Sequence, residues 1–356
     1  MENPKKYLEE LMTTAIQNGA SDLHLSPASY PTIRVDSRLI PLTNHDILNK
    51  ESLKEVVSAL LGPERLLRFS SEKEIDFSLE LNGNRFRANA YQTLGSYAAT
   101  LRIIPAQIKT VSELGLPPIL NIFTKLSQGF VLVVGPNGQG KSTTLASLLS
   151  TINKERGEKI ITIEDPIEYI FTPEKSIVDQ REIYQDTLSF SKAIRASLRE
   201  NVNVLMLSDM RDYETMSAAV TAAETGHLVF ATLHTNSASQ TIERIIGGFP
   251  PNQQAQIRSQ LASTISGVVS QRLIPRIQGG LVPAVEVMIA TSAVRTLIRD
   301  DKARQLDRVI ETSSEVGMIS MDKSLAELVR KKEITLERAE FYSINPGNMK
   351  NYVNGA

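Results

Sequence analysis

The residues best suited to chemistry are Gly135-Pro136-Asn137-Gly138-Gln139-Gly140-Lys141-Ser142-Thr143. In them Gly135, Gly140, Lys141 and Ser142 fit the spacing Gly-x4-Gly-Lys-Ser/Thr. Glycines let a backbone curl until successive N–H groups point at phosphate oxygens, and Lys141 would add a cation at the β and γ phosphates. Ser142 is placed to put its hydroxyl on Mg²⁺, and a helix starting here turns its positive end to the anion. The nine residues predict a nucleotide site.

Carboxylates come next. "ITIEDPIEYI" sets Glu164 and Asp165 at the end of an apolar run, with Glu168 four residues beyond Glu164. "VNVLMLSDMRD" stops in the same way on Ser208-Asp209. Acids at strand tips of a parallel sheet face the ligand crevice, where they hold Mg²⁺ through water or polarise an attacking water. Taken alone, Glu164 and Asp165 fit a solvated turn equally well. His227 and His234 bracket a fourth apolar run, too far apart to clasp one metal. His234, at the tip, could reach a γ-phosphate or the carboxylates; alone, each histidine reads as structural, as do His24 and His45. Among arginines, Arg195 with Arg199, and Arg85, Arg87 and Arg102, are candidate phosphate clamps, although any one of them alone fits a solvated face.

These residues need elements to hold them. "GFVLVV", "KIITIE", "VNVLML" and "HLVFATL" are continuously apolar and alternate with helical stretches at 142–153, 189–200 and 212–225. Fully buried strands alternating with helices predict an α/β fold with a mostly parallel sheet covered on both faces. The first hundred residues differ. A helix at about 4–18, strands in "DLHLS" and "PTIRVDSRLIPL" with a tight turn inside the latter, a helix stopping at Gly62 and hairpins turning at Asn82-Gly83 predict an α+β module. Three prolines in 105–118 mark an interdomain linker, and residues beyond about 290 read as helical. The expected domains are therefore 1–104, a linker at 105–118, and 119–356.

Composition narrows the class. With 356 residues, 41% hydrophobic and 22% charged, the chain suits two soluble domains. A net charge of −1 argues against nucleic acid as the main partner. Cysteine is absent, which excludes disulfides, thiolate zinc sites and cysteine nucleophiles. The N-terminal stretch lacks the apolar core of a signal peptide, and no apolar run approaches the ~20 residues that span a bilayer. A cytoplasmic location is expected.

Together "GASDLHLS", "RFRANAYQ", "GPNGQGKSTTLASLL", "ITIEDPIEY", "QREIYQDTLSFSKAIRASLRE", "MRDYETMSAAVTAAETGHLVFATLHTNSASQTIERI" and "QLASTISGVVSQRLIPR" resemble the type IV pilus retraction motors, the PilT family of the secretion ATPase superfamily. "VPAVEVMIATSAVRTLIRDDK" resembles the segment marking the retraction branch. The resemblance implies an N-terminal PAS-like domain and a C-terminal RecA-like P-loop ATPase domain with C-terminal helices, assembled as a homohexameric ring. ATP with Mg²⁺ would bind between a subunit's two domains, against the N-terminal domain of its neighbour. By the same mapping Glu164, Asp165 and Glu168 form an Asp box, with Asp165 an indirect Mg²⁺ ligand. His227 and His234 form a His box, and Asp209 takes the Walker B glutamate position. Arg87 and Arg102 are implied as phosphate-reaching fingers, with Arg195 as runner-up. Hydrolysis would turn the domains about the linker. The ring would pull on an inner-membrane pilus platform protein, peripherally at the inner face of the membrane, so that pilin is withdrawn. The lack of cysteine separates the chain from assembly motors, which carry a four-cysteine zinc site, and leaves open an accessory, retraction-dependent paralogue working with another motor.

Departures from the family pattern concentrate on one strand. Asn203 stands for its first acid and Ser208-Asp209 for Gly-Glu, while Asn137 and Gln139 replace Thr and Ser in the loop. Asp209 is one methylene shorter than Glu, so its oxygens fall back by ~1 Å, a misplacement that can cost ~10²-fold in rate. Two expectations follow: an active ATPase, or a nucleotide-binding ring subunit with weak hydrolysis.

Overall fold

The computed structural model describes residues 3–35, 38–105 and 107–355. The tight turn expected at Asp36-Ser37 lies outside the described residues, as does Ala106 of the expected linker. Two compact units emerge, Met1–Gln107 with Asp165–Ile170, and Ile108–Glu164 with Phe171–Ala356.

In the first unit, α1 (Pro4–Gln17) starts on Asn3, whose side chain accepts from Lys6 N, and Pro4 occupies the turn where a missing N–H costs nothing. β1 (Asp22–Leu25), β2 (Thr32–Val35) and β3 (Arg38–Pro41) follow. α2 (Lys50–Glu72) is broken inside: Gly62 leaves the helix at φ +69° and Pro63 restarts it. Gly62 ends the first stretch as its type predicts, and the second stretch was not anticipated. β4 (Glu74–Leu81), β5 (Asn84–Thr93) and β6 (Ser96–Ile104) complete the unit. Asn82 and Gly83 both turn with positive φ, as expected of a tight hairpin. Among the described residues these strands form a six-stranded sheet of order β3-β2-β1-β6-β5-β4. Leu11, Leu23, Val56, Phe69, Phe86 and Leu101 are among its buried core.

The second unit is α/β. It runs through β7 (Gly129–Val134), α3 (Lys141–Glu155), β8 (Lys159–Glu164), β9 (Ile177–Glu182) and α4 (Phe190–Ser197). β10 (Val204–Leu207), α5 (Tyr213–Glu224), β11 (Leu228–Leu233), α6 (Ala238–Gly247) and α7 (Gln254–Thr264) follow, then β12 (Ile265–Pro275) and β13 (Leu281–Ile289). Among the described residues the sheet has seven strands in the order β13-β12-β7-β11-β10-β8-β9. All neighbours are parallel except β13, which runs antiparallel on β12. Every residue of β7, β10 and β11 is buried, which is why these strands read as unbroken apolar runs. α8 (Ser292–Arg299), α9 (Leu306–Thr312), α10 (Met321–Arg330), α11 (Leu336–Tyr342) and α12 (Pro346–Asn354) form the expected helical end. Met321 and Leu325 of this end pack on Ile274, Val282 and Ala284 of the hairpin. No helix among the described residues is long and apolar enough to cross a membrane.

Two features were not legible. β9 is a polar edge strand, and β12 with β13 extends the sheet past β7. The expected linker also has structure of its own. Val111 and Leu116 are buried, and Leu114 N and Leu116 N close a turn on Thr110 O and Val111 O. From Ile108 onward it belongs to the second unit.

Gly267 of β12 marks tight packing against the core. A Cβ there would fall 2.3 Å from the ring of buried Phe123 and 3.0 Å from Met288 O. Gly267→Ala is expected to cost about 1–3 kcal/mol. The check is a lowered urea midpoint at unchanged slope.

Candidate nucleotide site

Parallel pairing brings four chain segments to one edge of the second unit's sheet. Val134 pairs with Leu233, Ala231 with Leu207, and Leu207 with Ile163. The next residues, Gly135, His234, Ser208-Asp209 and Glu164, therefore leave the carboxyl ends of adjacent strands, where open α/β sheets bind ligands. With strands about 4.8 Å apart, Glu164 stands roughly 14 Å across the sheet from the loop, and Asp209 roughly 10 Å.

The loop between β7 and α3 curls around its own lysine. Lys141 is buried, and its Nζ donates to Gly135 O at 2.8 Å and Pro136 O at 2.9 Å. The same ammonium lies 3.2 Å from His234 Nδ1, and His234 Nε2 lies 3.0 Å from Asp209 Oδ2. An ammonium can only donate, so Nδ1 accepts and the ring proton sits on Nε2, facing the carboxylate. Arg211 Nε donates to the same Oδ2 at 2.6 Å. The outcome is a chain of charge across three strand ends: Lys141, His234, Asp209 and Arg211.

The loop is braced by β12. Gln271 accepts from Thr144 Oγ1 on α3 at 2.7 Å and donates to Gln139 O at 2.7 Å. Leu273 N donates to Gln139 Oε1 at 2.7 Å. Gln139, a departure at the sequence level, is thus a brace between loop and strand. Glycine is required where β12 presses closest, because a Cβ on Gly135 would fall 2.5 Å from Gln271 O. Gly140 turns at φ +77° to start the helix, and Ser142 and Thr143 follow in its first turn, half-buried. Asn137 and Gly138 are exposed at the loop's crown. Neighbouring residues of β12 face the other way: Ser270 Oγ and Arg272 Nη2 donate to Asn236 O, in the loop that carries His234.

Other candidates lie elsewhere. Glu164 is buried and accepts from Thr162 Oγ1 at 2.7 Å and Gln180 Nε2 at 3.3 Å. Asp165 and Glu168 follow it into the stretch that groups with the first unit. There Glu168 accepts from Arg87 Nη1 at 3.0 Å. Arg102, the cross-strand partner of Arg87, is bound to Asp22 at 2.9 Å. Two arginines directly opposite would repel, and these acids relieve that. Arg195 is an exposed side chain on α4. His227 is separated from the loop: it precedes β11, a strand roughly 20 Å long, with Nδ1 2.9 Å from Ala222 O. Within this chain it is a helix-end contact, away from His234. Asn203 is likewise at the far edge, where its Oδ1 accepts from Lys159 N at 2.8 Å, so this departure concerns strand pairing. His24, lowered below its usual pKa by burial, has Nδ1 3.3 Å from Thr100 Oγ1, and His45 stands edge-on to Tyr7, both in the first unit.

Mg²⁺ suits the donors present. Among the described residues no group of three His, Cys, Asp or Glu could hold a metal alone. Mg²⁺ is commonly held by one or two protein oxygens plus phosphates and water, rather than by an all-protein cage. The Ser142 hydroxyl and Asp209 Oδ1, which is buried without a hydrogen-bond partner, are oxygen donors of that kind.

Gln271 and Arg211 were not singled out in the sequence, and both now touch the site. Gln271→Ala deletes two bonds worth about 1 kcal/mol each, so affinity for fluorescent ADP is expected to fall by up to about 30-fold. An unchanged Kd in titration would show that the loop holds itself.

Comparison with known proteins agrees with this geometry. The family model for type II/IV secretion system proteins matches residues 2–289. The chain is 42% identical over 342 residues to the type IV pilus retraction ATPase PilT of Pseudomonas aeruginosa, covering 96% of this chain and 99% of that one. It is 40% identical over 346 residues to a twitching motility protein of Neisseria gonorrhoeae, covering 96% and 91%. A crystal structure of the pilus retraction motor PilT with bound ADP superposes with a TM-score of 0.87 at 42% identity, covering 96% of this chain and 98% of that one. With its phosphate loop, strand-end acids and two-unit architecture, the chain belongs to the PilT family of type IV pilus retraction ATPases, P-loop enzymes of the type II/IV secretion class.

Proposed function

We propose that this chain works as a homohexameric ring motor that hydrolyses ATP to retract type IV pili, disassembling them into pilin and driving twitching motility. The unbroken contact from Lys141 through His234 to Asp209 supports this reading most. Lys141 is held by its own loop carbonyls, and triphosphate oxygens would replace them as acceptors. His234 then loses one partner and keeps Asp209, so its ring is placed to sense the γ-phosphate. Asp209 or Glu164 orients the attacking water. Ser142, with Asp165 acting through water, would hold Mg²⁺, which neutralises charge on the β and γ phosphates. Arg87 and Arg102 are the fingers offered to a neighbouring subunit's nucleotide, each needing release from Glu168 or Asp22. Arg195 is the reserve candidate. An inner-membrane platform protein is the partner this work requires, and it would account for peripheral attachment at the inner face.

One observation favours a second reading, a nucleotide-binding accessory ring subunit with weak hydrolysis. Asp209 is short, and its Oδ2 is already engaged by His234 and Arg211.

Steady-state ATP turnover separates the two. Wild type is expected above a Lys141→Ala background, with Asp209→Glu up to ~10-fold faster as its oxygens move ~1 Å outward. A wild type that binds ATP but matches the background would sink the motor reading. Sedimentation with ATP and Mg²⁺ is expected to show six-subunit rings; a monomer alone would remove the ring.

A further inference from the structure

Glu286 on β13 is a buried carboxylate that the proposed hydrolysis does not use. Its Oε1 accepts from Ala238 N, the first N–H of α6, at 2.8 Å. Ala238 lies four residues after His234. The turn between them is held on every side. Asn236 N donates to Gln240 Oε1 at 3.2 Å, and Asn236 O accepts from Ser270 Oγ at 2.9 Å. Arg272 Nη2 reaches Asn236 Oδ1 at 2.9 Å. Ser270 is the cross-strand partner of Glu286, so one patch of the β12–β13 hairpin grips the whole turn.

We propose that Glu286 is a positioning residue for the nucleotide site: its carboxylate anchors the N-terminus of α6 and so fixes the His234 turn against Lys141 and Asp209. This inference rests on the hydrolysis reading for its consequence in turnover, and on geometry alone for its effect on His234.

A neutral side chain would be cheaper to bury. An ionised one makes a charge-assisted bond, roughly twice as strong, and meets the positive end of a helix. Burial pushes Glu286 up to about 7, opposed by the Ala238 N–H. Asp307 on α9 raises it further, Arg272 on β12 lowers it, and Asp322 on α10 raises it. The grip therefore tightens as pH rises through neutrality. Stability runs the other way. A carboxyl whose folded pKa lies above its unfolded value stabilises the fold while protonated, and that contribution is lost as pH rises from about 4.5 through 7.

Glu286→Gln keeps an acceptor and removes the charge, so it mimics the protonated form at every pH. In the full-length protein, turnover of wild type and variant is expected to match near pH 6 and to diverge about fivefold in kcat above pH 7.5, with KM for ATP unchanged. Carbethoxylation of His234 by diethyl pyrocarbonate, read by peptide mass, is expected to be equal at pH 6 and about fivefold faster in the variant at pH 8. The variant should melt above wild type at pH 8 and together with it at pH 5. A variant-to-wild-type ratio that stays constant with pH in both turnover and modification overturns the proposal, whatever happens to the melting point. Wild-type turnover at the Lys141→Ala level sinks the hydrolysis reading instead, and the modification ratio then decides for Glu286 by itself.

Discussion

A lysine ammonium buried at the tip of a central strand must be given acceptors, and most of the site follows from how this is done. Lys141 takes two from its own loop and one from His234, so the loop is held in shape around the charge before any phosphate arrives. The carbonyls of Gly135 and Pro136 converge only if the backbone curls under β12, and that in turn demands glycine at 135. His234 can serve only because its other nitrogen reaches Asp209, which fixes the proton on that side.

The same requirement explains what the strand departures do. Asn203 pairs β10 to β8 at the edge remote from the nucleotide, so it leaves the chemistry alone. Asp209 acts differently. One oxygen is committed to His234 and Arg211, and the other is buried without a hydrogen-bond partner. The acid has been shortened into the protein's own charge chain, and its reach toward water is reduced accordingly. The capacity to bind nucleotide and the speed of cleaving it are thus set by different residues on the same edge.

The elements whose burial is uniform were legible from residue order. β7, β10 and β11 are buried at every position and read as unbroken apolar runs; the phosphate loop reads from its glycines. β12 did not, because Ser266, Ser270, Gln271 and Arg272 interrupt it with polar groups. Ser270, Gln271 and Arg272 belong inside a sheet because residues distant in sequence supply their partners, which no local pattern records. β9 failed for the opposite reason, since an edge strand can stay polar. His227 and His234 bracket one apolar run, and the sequence already sets His234 at its tip; the resemblance groups them as one box, whereas β11 holds them at opposite ends.

β12 serves two clients by parity. Gln271 and the Leu273 backbone brace the phosphate loop, while Ser270 and Arg272 hold the turn beyond His234. Inserting or deleting one residue within this strand would exchange the clients of every position after it. Past Pro275 the parity no longer governs the contacts, and the Arg276–Gly280 tip is held from another side, with Ile277 N donating to Glu333 O and Arg338 Nη1 to Arg276 O. The hairpin is a ruler whose graduations are locked by two loops and whose far end is pinned by the helical end of the chain.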